Sequence, residues 1–115
     1  MSVDKLLKET LDALGYPVQQ NVYTGEAKSY FVFNYDTSGD AFSDNAPKLE
    51  KYLVQVHFYC PLNENPNKVL REAKLALFMA GFSWPERYSG ADENCTHYIL
   101  ETEIWAGGLF GTDKS

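Results

Sequence analysis

Two histidines and two cysteines are the side chains of this sequence with the widest choice of chemistry: His57, Cys60, Cys95 and His97. Zinc is held by such residues, but a tetrahedral site needs closely spaced ligands that converge on one point. The stretch LVQVHFYC, residues 53–60, is predicted to be a strand. His57 and Cys60 are an odd number of positions apart, so their side chains leave opposite faces of such a strand. We therefore expect a core cysteine, a surface or interface histidine and no metal ion.

Catalysis by either cysteine is disfavoured by the sequence around it. A cysteine nucleophile needs a histidine within hydrogen-bonding reach and an electropositive setting, whereas Asp92 and Glu93 lie just before Cys95. Glu101 and Glu103 could form a pair of catalytic acids, but alternating carboxylates are typical of a strand with one solvated face. The phosphate-loop, nucleophile-elbow, zinc-helix and dinucleotide-binding patterns are all missing from the sequence. We expect no catalytic residue, no cofactor and no enzymatic activity.

The overall charge restricts the kinds of partner. Ten basic and 16 acidic residues give a net charge of -6 in a chain of 115 residues, which repels phosphate backbones and anionic lipid surfaces. No stretch approaches the roughly 20 apolar residues of a membrane-spanning helix. These features predict a cytosolic, single-domain protein with reduced cysteines that binds neither nucleic acid nor membrane.

Hydrophobic spacing predicts two helices. In the first, apolar residues recur at helical spacing from Val3 to Leu14; Gly15 then follows as a cap would, and Pro17 prevents continuation. The second is predicted over residues 66–80, because it starts at a proline, which is favoured in the first turn, and stops before a glycine.

Strands are predicted from runs that are rich in aromatic and β-branched residues or that alternate in polarity. They comprise a weak edge strand and turn at 18–29 and strands at 30–35, 51–60, 82–88 and 96–106. The order α-β-β-β-α-β-β predicts an α+β domain in which two helices pack against a largely antiparallel sheet of four to five strands. The domain is expected to span residues 1–106, with a flexible C-terminal tail at 107–115.

Two segments between the strands are predicted to be irregular. Residues 36–47 read DTSGDAFSDNAP and residues 89–94 read SGADEN, and both are dense in turn-forming residues. The first is longer than an ordinary hairpin turn, and Asp36, Asp40 and Asp44 make it acidic. We expect this loop to project from the domain and to become ordered when it docks on a partner.

A surplus of apolar side chains is the remaining signal. The second helix carries Leu75, Phe78 and Met79 outside its main apolar stripe, so either the first helix or another subunit should cover them. Aromatic residues are enriched at protein interfaces. The interface candidates are Tyr30, Phe31, Phe33, Tyr35, Asp36, Asp40, Phe42, Asp44, Tyr59, Leu75, Phe78, Met79 and Trp105. This surplus favours an oligomer or an assembly component.

The segment KYLVQVHFYCPLNENPNKVLREAKLALFMAGF is a strand, a short break and a helix that contains alanine and leucine. It resembles the tail-terminator and tail-completion proteins of long-tailed bacteriophages. A leading helix, a strand pair like YPVQQNVYTGEAKSYFVFNY, a polar loop and a closing strand like YILETEIWAG stand in the same order. The resemblance covers residues 1 to about 107 and rests on order and spacing, not on an invariant motif.

The resemblance implies a ring, typically of six subunits, that caps the tail tube, stops its polymerisation and joins the tail to the head. Its partners would be further copies of the chain, the tail tube protein and the head connector or neck protein. It would assemble in the host cytoplasm and remain in the virion, without catalysis. The strand at 30–35 would be a candidate for the subunit seam, and the acidic loop for a contact with the tube or a neighbour.

Two alternatives stay open at this point. A head-completion or neck protein would share the size and the acidity. A small enzyme or metal-binding domain built on the histidines and cysteines would belong to another class of protein.

Overall fold

The computed structural model of the protein describes residues 3–37, 49–61, 65–91 and 95–107. Two helices and five strands lie within these ranges. They are α1 (Val3–Asp12), β1 (Val18–Gln20), β2 (Tyr30–Thr37), β3 (Leu49–Pro61), α2 (Asn67–Met79), β4 (Glu86–Ala91) and β5 (Cys95–Gly107). The predicted α+β class and the predicted order of elements are confirmed.

The strands form one sheet in the order β1-β2-β3-β5-β4. Its centre is the antiparallel pair of β3 and β5, which are 13 residues long each and are paired from Leu49↔Gly107 to Pro61↔Cys95. β2 and β4 flank this pair and are also antiparallel to it. The short β1 runs parallel to β2, so the sheet is mixed but mostly antiparallel.

Both helices pack against one face of this sheet. α1 buries Val3, Leu7 and Leu11, which lie four residues apart on one helix face, and α2 buries Leu70, Ala73 and Leu77. These residues join the sheet in a single hydrophobic cluster. β3 contributes every second residue to it, as its alternating pattern predicts: Tyr52, Val54, Val56, Phe58 and Cys60.

Glycine ends both helices. Gly15 follows α1 with a φ of 93°, and Gly81 follows α2 with a φ of 110°, values that side chains with a Cβ rarely adopt. After α2 the N–H of Phe82 donates to the carbonyl of Leu77, and the N–H of Gly81 donates to the carbonyl of Phe78. This is the Schellman arrangement, and it turns the buried Phe82 back into the core.

Two strands extend into segments that were predicted to be irregular. β2 continues to Thr37, so Asp36 lies in a strand opposite Leu53 and not in a loop. β4 begins at Glu86, after Pro85, and continues to Ala91, so the turn predicted at 89–94 is wrong for its first three residues. In both places a long neighbouring strand offers backbone partners, and pairing continues through residues that favour turns.

Several predictions fall outside the described ranges. They concern Asp40, Phe42 and Asp44 of the acidic loop and all of the predicted tail except Gly107, which ends β5.

Candidate functional site on the open face of the sheet

The sheet face opposite the helices, which we call the open face, displays the alternate set of side chains on each strand. On β3 this set is Leu53, Gln55, His57 and Tyr59, which the alternation also predicted. On β5 it is His97, Ile99, Glu101, Glu103 and Trp105, and Tyr30, Asn34 and Asp36 of β2 and Glu86 and Tyr88 of β4 join them across the sheet. The open face therefore combines aromatic rings with carboxylates.

Five rings cross one end of the open face as a stacked series, which we call the aromatic ladder. Its members are Tyr23, Tyr30, Tyr59, His97 and His57, with successive ring centroids 4.0, 4.9, 4.3 and 4.9 Å apart. Tyr59 lies opposite Tyr30 in β2 and opposite His97 in β5. Directly opposed cross-strand pairs of this kind are the contacts that fix the register of a sheet.

The two histidines at the end of the ladder contact each other directly. Nδ1 of His57 and Nε2 of His97 share a hydrogen bond of 2.7 Å, and Nδ2 of Asn34 lies 3.4 Å from Nε2 of His57. Burial lowers the pKa of His57 below its ordinary value of 6.5, the neighbouring His97 lowers it further, and Glu101 opposes these effects. The arrangement therefore favours the neutral form of His57, which can accept from Asn34 and donate to His97.

A groove of about 480 Å³ lies beside the ladder on the open face. Four of the side chains that line it are carboxylates and two are large apolar groups: Asp36, Glu86, Glu101, Glu103, Leu53 and Trp84. Lys51 lies next to it, with Nζ 3.5 Å from Oε1 of Glu103 and 5.3 Å from the ring centroid of Trp105. The groove is therefore acidic, with apolar side chains between the charges.

The second exposed surface is the outer side of α2. Leu75 is 52% exposed, Phe78 51% and Met79 76%. The ring of Phe78 packs edge-on against that of Trp84, with their centroids 5.6 Å apart. α1 contacts α2 but does not cover these three side chains. The sequence allowed either the first helix or another subunit to cover these side chains, and the first helix is therefore ruled out.

The interface candidates chosen from the sequence divide into separate groups. Phe31 and Phe33 are buried in the core, where a partner cannot reach their side chains. Tyr35 lies on the helix side, and its hydroxyl donates to a carboxylate oxygen of Asp4 in α1. On the surface or partly exposed are Tyr30, Asp36, Tyr59, Leu75, Phe78, Met79 and Trp105. The strand predicted as a seam, β2, is internal, because β1 and β3 pair with its two edges.

Sequence reasoning missed the groove and the histidine pair. The alternation of side chains along β5 was sufficient to place His97 and Glu101 on the same face of that strand. The alternation along β3 likewise separated His57 from the core residues of its own strand. The register between the two strands, which sets His57 opposite Ile99 and so beside His97, follows only from the pairing. Apart from the nearby Pro85, nothing in the sequence indicated that Trp84 and Glu86 line a groove.

The structure brings together two of the side chains that could bind a metal, His57 and His97, but Cys60 does not join them. Cys60 is a buried cysteine on the helix side, whereas His57 and His97 lie on the open face, so the predicted separation of His57 and Cys60 is confirmed. Among the described residues no three histidine, cysteine, aspartate or glutamate side chains are grouped so that they could hold a metal ion. Neither described helix is long and apolar enough to cross a membrane.

Comparison with known proteins gives a similarity of fold. No protein-family model matches the sequence, and no curated protein matches it either. A solved structure does: a chain of the virion of a native gene transfer agent particle aligns with a TM-score of 0.64 and 14% sequence identity. The alignment covers 93% of this chain and 96% of the other. The two chains therefore share an entire fold and not a local unit.

Proposed function

We propose that this protein is a structural virion subunit, and specifically a tail terminator or tail-completion protein. In this role it forms a ring at the head-proximal end of the tail tube, stops tube growth and joins the tail to the head. The observation that carries the proposal is the fold shared along the whole length with a virion chain. The order of elements that resembles the tail-terminator family supports the same role.

The surfaces agree with an assembly role. The outer side of α2 and the open face both present apolar or aromatic groups next to charges, and such surfaces are typical of protein interfaces. Two different surfaces on one chain permit head-to-tail contacts, which close into a ring when the rotation between neighbours allows it. We propose a hexameric ring whose partners are the tube protein and the head connector, and a function that involves no catalysis.

A head-completion or neck protein is the second candidate. The solved chain is described as part of a virion and not of a tail in particular, so the shared fold supports both roles. In the host cytoplasm either protein would act during assembly and would then remain in the particle.

Deletion of the gene in particle-producing cells separates the two roles. A tail terminator predicts tubes of abnormal, variable length in negative-stain images, because nothing stops their growth. A neck protein predicts tails of normal length that are not attached to heads. Normal particles after deletion would refute both roles. Complementation with the wild-type chain is the control, and rings of the purified protein in the same images would support the terminator directly.

A further inference from the structure

The acidic groove carries more negative charge than its neighbouring cation balances. Lys51 pairs with Glu103, but Glu101 and Glu86 accept hydrogen bonds from the neutral side chains of Gln55 and Tyr88. Glu86 of β4 and Glu101 of β5 are direct cross-strand partners, and like charges directly opposite each other destabilise a sheet. Asp36 and Glu103 add two more carboxylates to the same groove. A cationic side chain from outside would relieve this repulsion, whereas an anionic or purely apolar ligand would not.

The outer side of α2 has the complementary chemistry. Lys68, Arg71, Leu75 and Phe78 are all exposed and follow one another at intervals of three, four and three residues, so they form one continuous stripe along the helix. Two cationic side chains thus occupy its first half and two apolar ones its second. We call this set the α2 stripe.

The dimensions of the two surfaces also agree. From Asp36 on β2 to Glu86 on β4 the groove crosses three strand spacings, which is about 14 Å. An α-helix with its side chains is about 10–12 Å across. The outer side of one helix therefore matches the groove in width, and its side chains can enter with cationic groups near the carboxylates and apolar groups near Leu53 and Trp84.

We propose that the α2 stripe of one copy docks into the acidic groove of a second copy. Within one chain the two surfaces adjoin where the ring of Phe78 packs against Trp84. The rest of the α2 stripe lies on the helix side of the sheet, whereas the groove carboxylates stand on the open face. Since they are different surfaces, the contact is head-to-tail, as a ring requires. This inference rests on the proposed ring-forming function and specifies the subunit contact within it.

Charge exchange tests this contact. In one variant Lys68→Glu and Arg71→Glu make the α2 stripe acidic. In the other, Glu86→Lys and Glu101→Lys reverse two of the four groove carboxylates, so that together with Lys51 the groove carries a net positive charge. In each variant alone, the α2 stripe and the groove that it would enter carry charges of the same sign. We therefore expect self-association to weaken about a hundredfold. An equimolar mixture restores opposite charges at every contact, and we expect it to assemble as the wild type does, with the two variants in a 1:1 ratio. Sedimentation velocity measures association, and native mass spectrometry measures the ratio.

Controls separate this contact from general charge effects and from misfolding. Lys5→Glu with Lys8→Glu changes the net charge by the same amount on α1, and this variant should assemble normally. Circular dichroism confirms that each variant is folded. Leu75→Glu, at a position that is half exposed, provides a second disruption, because it sets a further carboxylate against the acidic groove.

The outcomes distinguish this inference from the proposed function. If the wild type assembles and each charge variant associates as tightly as it does, the proposed contact is wrong. The contact is also wrong if the mixture of variants stays dissociated. Neither result would contradict the proposed ring itself. A wild-type chain that remains monomeric at every concentration would overturn the contact as well, and the tail role would then be decided by the deletion experiment.

Discussion

Tyr35 connects the first helix to the sheet through its hydroxyl, which donates to the Asp4 carboxylate. Burial, together with the bond and the negative charge of Asp4, raises the pKa of Tyr35 to about 12. Because the neutral phenol is the form that is favoured in the folded state, its contribution to stability is complete below pH 10. The contribution is lost as the pH rises from there through the folded-state pKa.

Removal of this hydroxyl should therefore destabilise the domain. We expect Tyr35→Phe to lower the free energy of unfolding by about 1.5–3 kcal/mol, since hydrogen bonds to charged groups contribute in this range. Tyr88→Phe is the matched control, because the Tyr88 hydroxyl donates to the exposed carboxylate of Glu86 at 3.2 Å and should cost less than about 0.5 kcal/mol. Urea denaturation at pH 7 measures both. Equal losses in the two variants would contradict a specific role for the Asp4 contact.

His57 should make the stability depend on pH in the weakly acidic range. Its pKa is lowered in the folded state, so the unfolded chain binds the proton more readily. The stabilisation from neutral His57 is complete above the unfolded-state pKa near 6.5 and is lost as the pH falls through the folded-state value. We expect the free energy of unfolding to be lower at pH 5.5 than at pH 7.5, and His57→Gln to reduce that difference. Parallel profiles for the two proteins would show that another group is responsible.

At the scale of single residues, strand alternation was the most informative feature of the sequence. It placed Cys60 in the core and His57 on the other face, and the structure confirms both positions. Alternation could not show which face of β2 is turned to the helices. In the structure Phe31 and Phe33 are buried in the core, whereas Tyr30 lies on the other face and is partly exposed. For a strand with apolar groups on both faces, the distinction depends on where the helices lie, and that is a property of the whole fold.

At the scale of elements, the sequence predicted the existence of each helix and strand better than their partners. β1 is a three-residue strand, which is too short to show a period, and its parallel pairing with β2 was not predicted. The chain reverses after it at Asn21, whose φ of 70° lies in the left-handed region that asparagine tolerates. The Asn21 N–H then donates to the carbonyl of Phe33.

The two sides of α2 should respond differently to truncation. Leu77 is fully buried, whereas Leu75 is 52% exposed two residues away on the same helix. We expect Leu77→Ala to lower the free energy of unfolding by about 2–5 kcal/mol, because it removes a core side chain and leaves a cavity. Leu75→Ala should change it by less than about 0.5 kcal/mol. Chemical denaturation decides between them, and a loss of similar size at both positions would mean that the α2 stripe serves the fold and not a partner.

At the scale of the whole molecule, net charge and local charge act in opposite directions. With a net charge of -6, two copies repel each other at distances beyond direct contact. An attractive contact between copies therefore has to depend on short-range pairing and on apolar burial, which the α2 stripe and the acidic groove both offer. The sequence showed the net charge and the surplus of apolar groups, but the separation of the charges onto two surfaces arises only through the fold.

The single core cluster predicts that the described domain unfolds as one unit. Both helices and the central strands share this cluster, and Cys60 lies within it with no exposed surface. Its thiol should react with a labelling reagent only after global unfolding. We expect the free energy obtained from native-state labelling of a Cys95→Ser variant to equal that from urea denaturation of the same variant. Labelling that is much faster would mean that β3 separates from the helices locally, because only such an opening exposes Cys60 while the rest of the domain stays folded.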